Sequence, residues 1–282
     1  MRTIEKNAII GNGKGTIVIL CGVIFSFLAT VGGCKKLERI DLSGGGIDDR
    51  MYPTTIYSVS EGELLQMRND FAQRNPYFFT SLNQFGFCAT GFYVPAKSIP
   101  AGSFTKEEAI AAVKEFVARN PEYTGVSDTN DLHFKSVGLI TTDGLRWKLV
   151  AENQTVKGIE VEWTDIVFHT KNRAVEFCNG NHFPYVYVPK KFKFDAEQAK
   201  SQLLGKEIFH YNIGGQQYSA GFVTTGHLQQ STTKLIIVPI KTDDKIELRV
   251  AWQIYLGSPL HYIFEIDVKT GEIIREMPTI IS

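Results

Sequence analysis

Residues 249–274 read RVAWQIYLGSPLHYIFEIDVKTGEII, and apolar residues alternate with polar ones along most of this stretch. Because successive side chains of a strand point to opposite faces, this period of two predicts strands at Ile246–Leu256 and His261–Val268. The tripeptide KTG at positions 269–271 predicts a tight turn, with glycine where a positive φ is needed. The chain then returns over Glu272–Arg275, so the stretch predicts an antiparallel meander.

The same order, a helix followed by antiparallel strands, is predicted twice along the chain. In the first half, a capping box of Thr105 and Glu108 begins a helix that stops at Asn120. In the second half, Asp195 caps a short helix that ends at Gly205. Other predicted elements are a helix at Ser60–Arg74 and strands at Gly86–Val94, Leu145–Leu149, Ile159–Trp163, Ala174–Cys178 and Lys234–Lys241. Two similar half-units of this kind predict an α+β fold.

The N-terminus has the pattern of an export signal. Basic residues in the first 15 positions precede an uncharged run, TIVILCGVIFSFLATV, at Thr16–Val31. A membrane-spanning helix needs about 20 apolar residues, so this shorter run with a small-residue end favours a cleaved signal peptide over an uncleaved anchor. Val31-Gly32-Gly33-Cys34 resembles the lipobox of bacterial lipoproteins, which implies cleavage before Cys34 and acylation of its thiol.

These features divide the chain into a signal peptide at residues 1–33 and a flexible, polar, glycine-rich tether at residues 34–59. The mature protein is predicted to reside in the cell envelope, held by palmitate or a related acyl chain on Cys34. The outer membrane is preferred over the inner one.

Charge and cysteine content limit the function further. The 30 basic and 30 acidic residues balance, and removal of the signal leaves 27 against 29, which argues against a nucleic-acid partner. Of four cysteines, Cys88 and Cys178 remain once Cys21 leaves with the signal and Cys34 carries lipid. In an exported protein this pair either forms a disulfide or provides two small buried apolar side chains.

Several segments resemble the propeptide of thermolysin-type and fungalysin-type metallopeptidases. The FTP domain of that family is similar to this chain at NPEYTGVSD (residues 120–128), GLRWKLV, KGIEVEW and the NGN of residues 179–181. The PepSY domain of the family is similar to residues 194–276, most clearly at 249–274. The resemblance implies an FTP-like domain at 60–185 and a PepSY-like domain at 186–282, as two cystatin-like helix-plus-antiparallel-sheet units in tandem.

The resemblance does not extend to a catalytic domain. In the family the propeptide is followed by a zinc peptidase with an H-E-x-x-H helix, whereas none of the six histidines here has a second one three or four residues away. An S-x-x-K at Ser103 and the K-T-G at 269–271 lack the S-D-N motif and the strand context of beta-lactamases. Glu160 and Glu162 are interpreted as the solvated side of a strand. We therefore expect no catalytic residue, no metal, no cofactor and no enzymatic activity.

Two functions remain for a non-catalytic envelope lipoprotein. As a propeptide-like module, it would bind a secreted metallopeptidase as an inhibitor or folding partner, with hairpin turns as the contact regions. As the alternative, it would be a structural or ligand-binding envelope protein with no peptidase partner. The residues predicted to contact a partner are Lys157, Gly158, Lys269, Thr270 and Gly271.

Overall fold

The computed structural model describes residues 51–78, 81–89, 102–140, 145–211 and 215–279. The signal peptide, Cys34 and the first part of the tether lie outside these ranges. The described residues belong to one compact unit. It has five α-helices within the described ranges: α1 Glu61–Arg74, α2 Lys106–Arg119, α3 Pro121–Thr124, α4 Ala196–Ser201 and α5 Thr225–Gln230. None of these helices is long and apolar enough to cross a membrane.

Helices α1 and α2 are built alike. Each has 14 residues and begins with a capping box, formed by Ser60 in α1 and, as predicted, by Thr105 in α2. Each ends at an Asn-Pro pair, and the two asparagines, Asn75 and Asn120, join the helix ends. Asn75 Nδ2 donates to Asn120 Oδ1 at 2.9 Å, and Asn120 Nδ2 donates back to Asn75 Oδ1 at 3.2 Å. Both residues are buried, so each amide satisfies the other.

A four-stranded antiparallel sheet packs against α2. Its strands, in spatial order, are β4 Phe134–Leu139, β5 Arg146–Ala151, β8 Val167–Lys171 and β9 Ala174–Asn179. Phe71 of α1, Phe116 of α2 and Phe168 of β8 belong to one buried core between helices and sheet. Phe116 stands edge-on to each of the other two rings, with centroids 6.3 Å apart in both pairs. The aromatic content thus fills one face of this sheet.

A seven-stranded sheet forms the other layer. It consists of β1 Thr54–Tyr57, β6 Thr155–Val156, β7 Ile159–Val161, β12 Thr232–Lys241, β13 Lys245–Leu256, β14 Tyr262–Asp267 and β15 Ile273–Pro278. The spatial order is β15-β14-β13-β12-β7-β6, and β1 pairs with the start of β13. The predicted meander is present as β13, β14 and β15, and the turn at 269–271 has Gly271 at φ 72°. Helices, antiparallel sheets and this meander confirm the α+β class.

The seven-stranded sheet includes strands from both predicted half-units. Strand β7 pairs with β12 in parallel, with Glu160 opposite Ile236 and Val161 opposite Ile237. The chain then leaves β7 and enters β8 of the four-stranded sheet within six residues. A single sheet therefore crosses the predicted boundary between residues 185 and 186.

The predicted tether is wrong over its last residues, because Thr54–Tyr57 is strand β1. Thr54 lies opposite Leu248 and Tyr57 lies opposite Lys245, and Ile56 packs against the core beneath the sheet. A strand of four residues is too short for a period of two to be visible in the sequence. The main-chain partner that fixes it lies about 190 residues away along the chain.

Smaller elements complete the fold. Strand β2 Ser81–Leu82 pairs with β3 Cys88–Ala89, so the predicted strand at Gly86–Val94 is present only in part, and residues 90–94 lie outside the described ranges. Helix α4 ends at Ser201, four residues before the predicted end at Gly205, although Gly205 does have a positive φ of 77°. The ribbon of β10 Glu207–Tyr211 and β11 Gln217–Phe222, strand β4 and helix α5 have no counterpart among the sequence predictions.

Candidate functional site

The Lys157-Gly158 turn is an exposed hairpin tip at a sheet edge. Thr155 pairs with Glu160 and Val156 with Ile159, which leaves Lys157 and Gly158 as a two-residue loop. Both have positive φ values, 52° and 79°, as a type I′ turn requires. Both are exposed, and no atom lies within 4 Å of the position that a Cβ of Gly158 would take. The tip is therefore open to a partner, as a contact region has to be.

The turn at residues 269–271 is packed more tightly. Asp267 Oδ1 accepts hydrogen bonds from the amides of Lys269 and Thr270, at 2.7 and 2.9 Å. A Cβ on Gly271 would lie 2.7 Å from the ring of Phe194. Thr270 is exposed, but Gly271 lies so close to Phe194 that a larger residue would clash there. The glycine is therefore needed for packing within the fold.

The two turns predicted to contact a partner lie at opposite ends of the seven-stranded sheet. Strand β7 runs parallel to β12, so the Lys157-Gly158 turn lies at the end where β12 begins. Strand β14 also runs parallel to β12, since both are antiparallel to β13, and the turn at 269–271 follows the end of β14. The turns also flank opposite edge strands, β6 and β15. The structure does not bring them together into one patch.

A charged cluster that the sequence interpretation missed lies on the second face of this sheet. We call Glu162, Gln253, Glu265 and Arg275 the Glu–Arg cluster. Arg275 Nη2 donates to a carboxylate oxygen of both Glu162 and Glu265. Gln253 Nε2 donates to the same two carboxylates, at 2.6 and 2.9 Å. The side chain of Glu162, the residue after β7, thus meets that of Arg275 of β15 over the central strands.

The Glu–Arg cluster is largely withdrawn from solvent. Glu265 has no exposed surface, and the side chains of Glu162 and Arg275 are only 14% and 15% exposed. Burial raises the pKa of Glu265, although hydrogen bonds from Arg275 and Gln253 favour its charged form. The interpretation of Glu162 as a solvated side chain is therefore wrong. The alternating residues EIDV at positions 265–268 did not indicate the burial of Glu265, because a strand with a solvated polar face has the same pattern.

Trp163 covers the cluster from outside. Its ring centroid lies 3.8 Å from the guanidinium carbon of Arg275, within the range of a cation–π contact. Trp163 is nevertheless 63% exposed, and its φ of 56° is unusual for a bulky residue. It lies at the point where the chain leaves β7 for the other sheet.

A second polar contact holds the N-terminal strand to the same sheet. The Tyr52 hydroxyl donates to Asp267 Oδ2 at 2.7 Å and accepts from the Val250 amide at 3.0 Å. Asp267 is fully buried, and Arg249 lies 3.6 Å from it. Burial, then the charge of Asp267, raises the pKa of Tyr52 well above its ordinary value. The predicted tether is thus fixed to the sheet at Tyr52.

A polar cavity of about 270 Å³ lies near the loop after α3. Its wall includes Asp131, His133, Glu152, Gln154 and His182. His182 is buried, which lowers its pKa, and its amide donates to Thr124 O at 2.8 Å. A Cβ on Gly125 would lie 1.8 Å from His182 O, so the segments NPEYTGVSD and NGNH meet here by close backbone contact.

No group of three or more His, Cys, Asp or Glu side chains in the described parts of the chain is arranged to hold a metal ion. Cys88 and Cys178 are buried side by side in the core of the four-stranded sheet, and no disulfide joins them in the structure. Cys34 lies outside the described residues.

Comparison with protein-family models and with curated proteins gives no match. Among solved structures, the chain is similar to the C-terminal domain of YpeB from Bacillus megaterium, at 12% identity and a TM-score of 0.30. This similarity covers 78% of the chain and 97% of that domain.

Proposed function

We propose that this chain is a non-catalytic envelope lipoprotein that binds a secreted metallopeptidase through the Lys157-Gly158 hairpin, as an inhibitor or folding partner. One observation carries the proposal: this hairpin tip is exposed, has free space at Gly158 and is located at a sheet edge. Such a tip presents main-chain groups to a cleft, where backbone hydrogen bonds provide affinity without chemistry. In this proposal the two halves correspond to tandem cystatin-like units, FTP-like and PepSY-like.

The structure supports the hairpin as a rigid contact. The shared sheet holds β7 against β12, and the Glu–Arg cluster holds the residue after β7 to β13, β14 and β15. A contact held in this way loses little conformational entropy on binding, which favours affinity. The turn at 269–271 faces another end of the sheet and takes no part in the same contact.

The binding test uses the purified full chain with a thermolysin-type zinc peptidase and, separately, with the peptidases secreted by the same organism. We expect the chain to slow hydrolysis of a protein substrate, and Lys157→Glu to weaken this inhibition about tenfold. The matched control is Lys190→Glu, the same charge change at an exposed residue between β9 and α4, which should leave inhibition unchanged. If the chain neither binds nor inhibits any of these peptidases, the proposal is overturned.

Anchoring through Cys34 belongs to the same proposal and has its own test. We expect cells fed labelled palmitate to incorporate it into the chain, and the chain to sediment with membranes. Cys34→Ala should abolish the label and release the protein. A label that persists in this variant would contradict lipidation at Cys34.

A ligand-binding function is the second candidate, and the polar cavity near His182 favours it. Native mass spectrometry of the chain isolated from its own envelope would detect a bound small molecule by its added mass. Loss of this mass in a Gln154→Leu variant would support the candidate, since Gln154 lines the cavity. Detection of the apoprotein alone would reject it.

A further inference from the structure

We propose that Cys88 and Cys178 form a disulfide bond that ties the β2–β3 hairpin to strand β9. Cys88 begins strand β3, and Cys178 lies near the end of β9, opposite Phe168 of β8. The two side chains are 1% and 0% exposed and belong to the same apolar core. Their thiols hydrogen-bond to each other, so the structure presents the reduced pair already in contact.

The position of the pair gives the bond a structural consequence. Strands β2 and β3 have two residues each, and a ribbon of this size is not stable by itself. Leu82 and Cys88 attach its strands to the core of the four-stranded sheet, while Phe85 and Phe87 of its loop are buried in a different core. A bond to Cys178 would close a loop with 89 intervening residues, and the entropy removed from the unfolded chain grows with loop length.

The chemistry is thiol–disulfide exchange with a disulfide donor, either glutathione disulfide or an exported dithiol oxidase. The thiolate of one cysteine attacks the donor disulfide, forms a mixed disulfide and displaces one donor thiolate. The second cysteine thiolate attacks the sulfur of the first and releases the other donor thiolate. Two cysteine thiols become one disulfide, the donor disulfide becomes two thiols, and the two protons pass to the donor thiolates.

Burial determines when this reaction can occur. In the folded protein, burial and the hydrogen bond with Cys88 raise the pKa of the Cys178 thiol, so the reactive thiolate is scarce. The donor also has no access to a side chain without exposed surface. The bond therefore forms before the core closes, and once formed it resists reductants that act on the native protein.

The test refolds the full chain from denaturant either in a glutathione redox buffer or with dithiothreitol, followed by alkylation, tryptic digestion and mass spectrometry. Peptides 75–97 and 174–190 each contain one of the two cysteines. We expect one linked peptide pair from the oxidising arm and two alkylated peptides from the reducing arm. Separately alkylated peptides from the oxidising arm, or linkage to Cys21 or Cys34, would overturn the proposal.

A stability measurement shows whether the bond is structural. We expect the oxidised chain to unfold on the order of 10 °C above the reduced chain. The double variant Cys88→Ala, Cys178→Ala should unfold near the reduced wild type and should not respond to reductant. A linked wild type whose unfolding temperature is unchanged by reduction would contradict the structural tie. Because the refolding takes place in vitro, the outcome does not depend on export, lipidation or a peptidase partner.

Discussion

Apolar and polar residues alternate along the strands of both sheets, but the polar residues have different surroundings in the four-stranded and the seven-stranded sheet. In the four-stranded sheet, one face is buried against the helices, and the other carries exposed or half-buried residues such as Lys148 and His169. In the seven-stranded sheet one face packs on apolar cores, and the opposite face includes charged residues without exposed surface, Glu265 and Asp267. The same sequence pattern thus describes a solvated face in one sheet and a buried charge network in the other.

The difference has an energetic consequence. A charge on an open face is stabilised by water, whereas a buried charge depends on its protein partners. In the four-stranded sheet, Lys135 Nζ of β4 lies 3.3 Å from Asp165 Oδ2, and the two side chains are 48% and 39% exposed. In the Glu–Arg cluster, one arginine joins two carboxylates that have little other solvation. Three predictions test this contrast.

The largest effect is expected for Arg275→Ala. This change leaves Glu162 and Glu265 facing each other without a cation, and we expect the free energy of unfolding to fall by about 3–5 kcal/mol. Lys135→Ala is the control in the other sheet and should cost about 1 kcal/mol or less, because both partners of its ion pair with Asp165 are exposed and solvent screens them. Urea unfolding followed by tryptophan fluorescence measures both. Equal losses for the two variants would contradict the contrast.

An intermediate effect is expected for the buried amide pair beside the four-stranded sheet. Asn75→Ala removes a donor from Asn120 Oδ1 and leaves a buried acceptor unsatisfied, which should cost about 1–3 kcal/mol. If the pair acts as one unit, the double variant with Asn120→Ala should lose less than the sum of the two single changes. Strictly additive losses in chemical denaturation would show that the asparagines act independently.

The smallest effects are in the pH dependence, and they have opposite signs in the two sheets. Burial raises the pKa of Glu265. As pH rises past the ordinary pKa of a glutamate, the unfolded state therefore releases a proton that the folded state keeps. The contribution of Glu265 to stability is therefore greatest at low pH and falls as pH rises. Burial, with Lys148 and Arg146 nearby, lowers the pKa of His169, so its contribution is lost as pH falls below about 6.5.

The variants Glu265→Gln and His169→Gln separate these two contributions. Denaturant unfolding gives the free energy of unfolding of the wild type and of each variant at several pH values between 4 and 8. The wild-type minus variant difference then changes with pH only where the replaced group titrates. We expect the difference for Glu265→Gln to change mainly above pH 4.5 and that for His169→Gln mainly below pH 6.5. Changes of the same sign in both variants would show that the assigned environments are wrong.

Local features of the fold were predictable because they depend on neighbouring residues. The capping boxes at Thr105 and Asp195 and the turns at Lys157-Gly158 and 269–271 depend on contacts within about four positions of the chain. The strands β12 to β15 follow from alternation and were predicted nearly to their ends. Strand β1, by contrast, forms only because its main chain pairs with that of β13.

The candidate site was predicted less completely. The exposed hairpin at Lys157-Gly158 follows from its turn residues, and the structure leaves it open. Nothing local indicates that Glu162 reaches Gln253, Glu265 and Arg275, since these residues come from three separate strands. The same holds for Tyr52 and Asp267, which lie 215 positions apart.

The sequence by itself determined the α+β class, the capped helices, the tight turns and the meander at residues 249–274. These features arise from hydrogen bonds and side-chain periodicity over a few residues, which the order of the amino acids specifies directly. Only the tertiary structure decided that the two halves share a sheet, that residues 54–57 form a strand and that Glu265 is buried. Each of these depends on which distant strands meet, and that choice determines whether a charged side chain faces water or another charge.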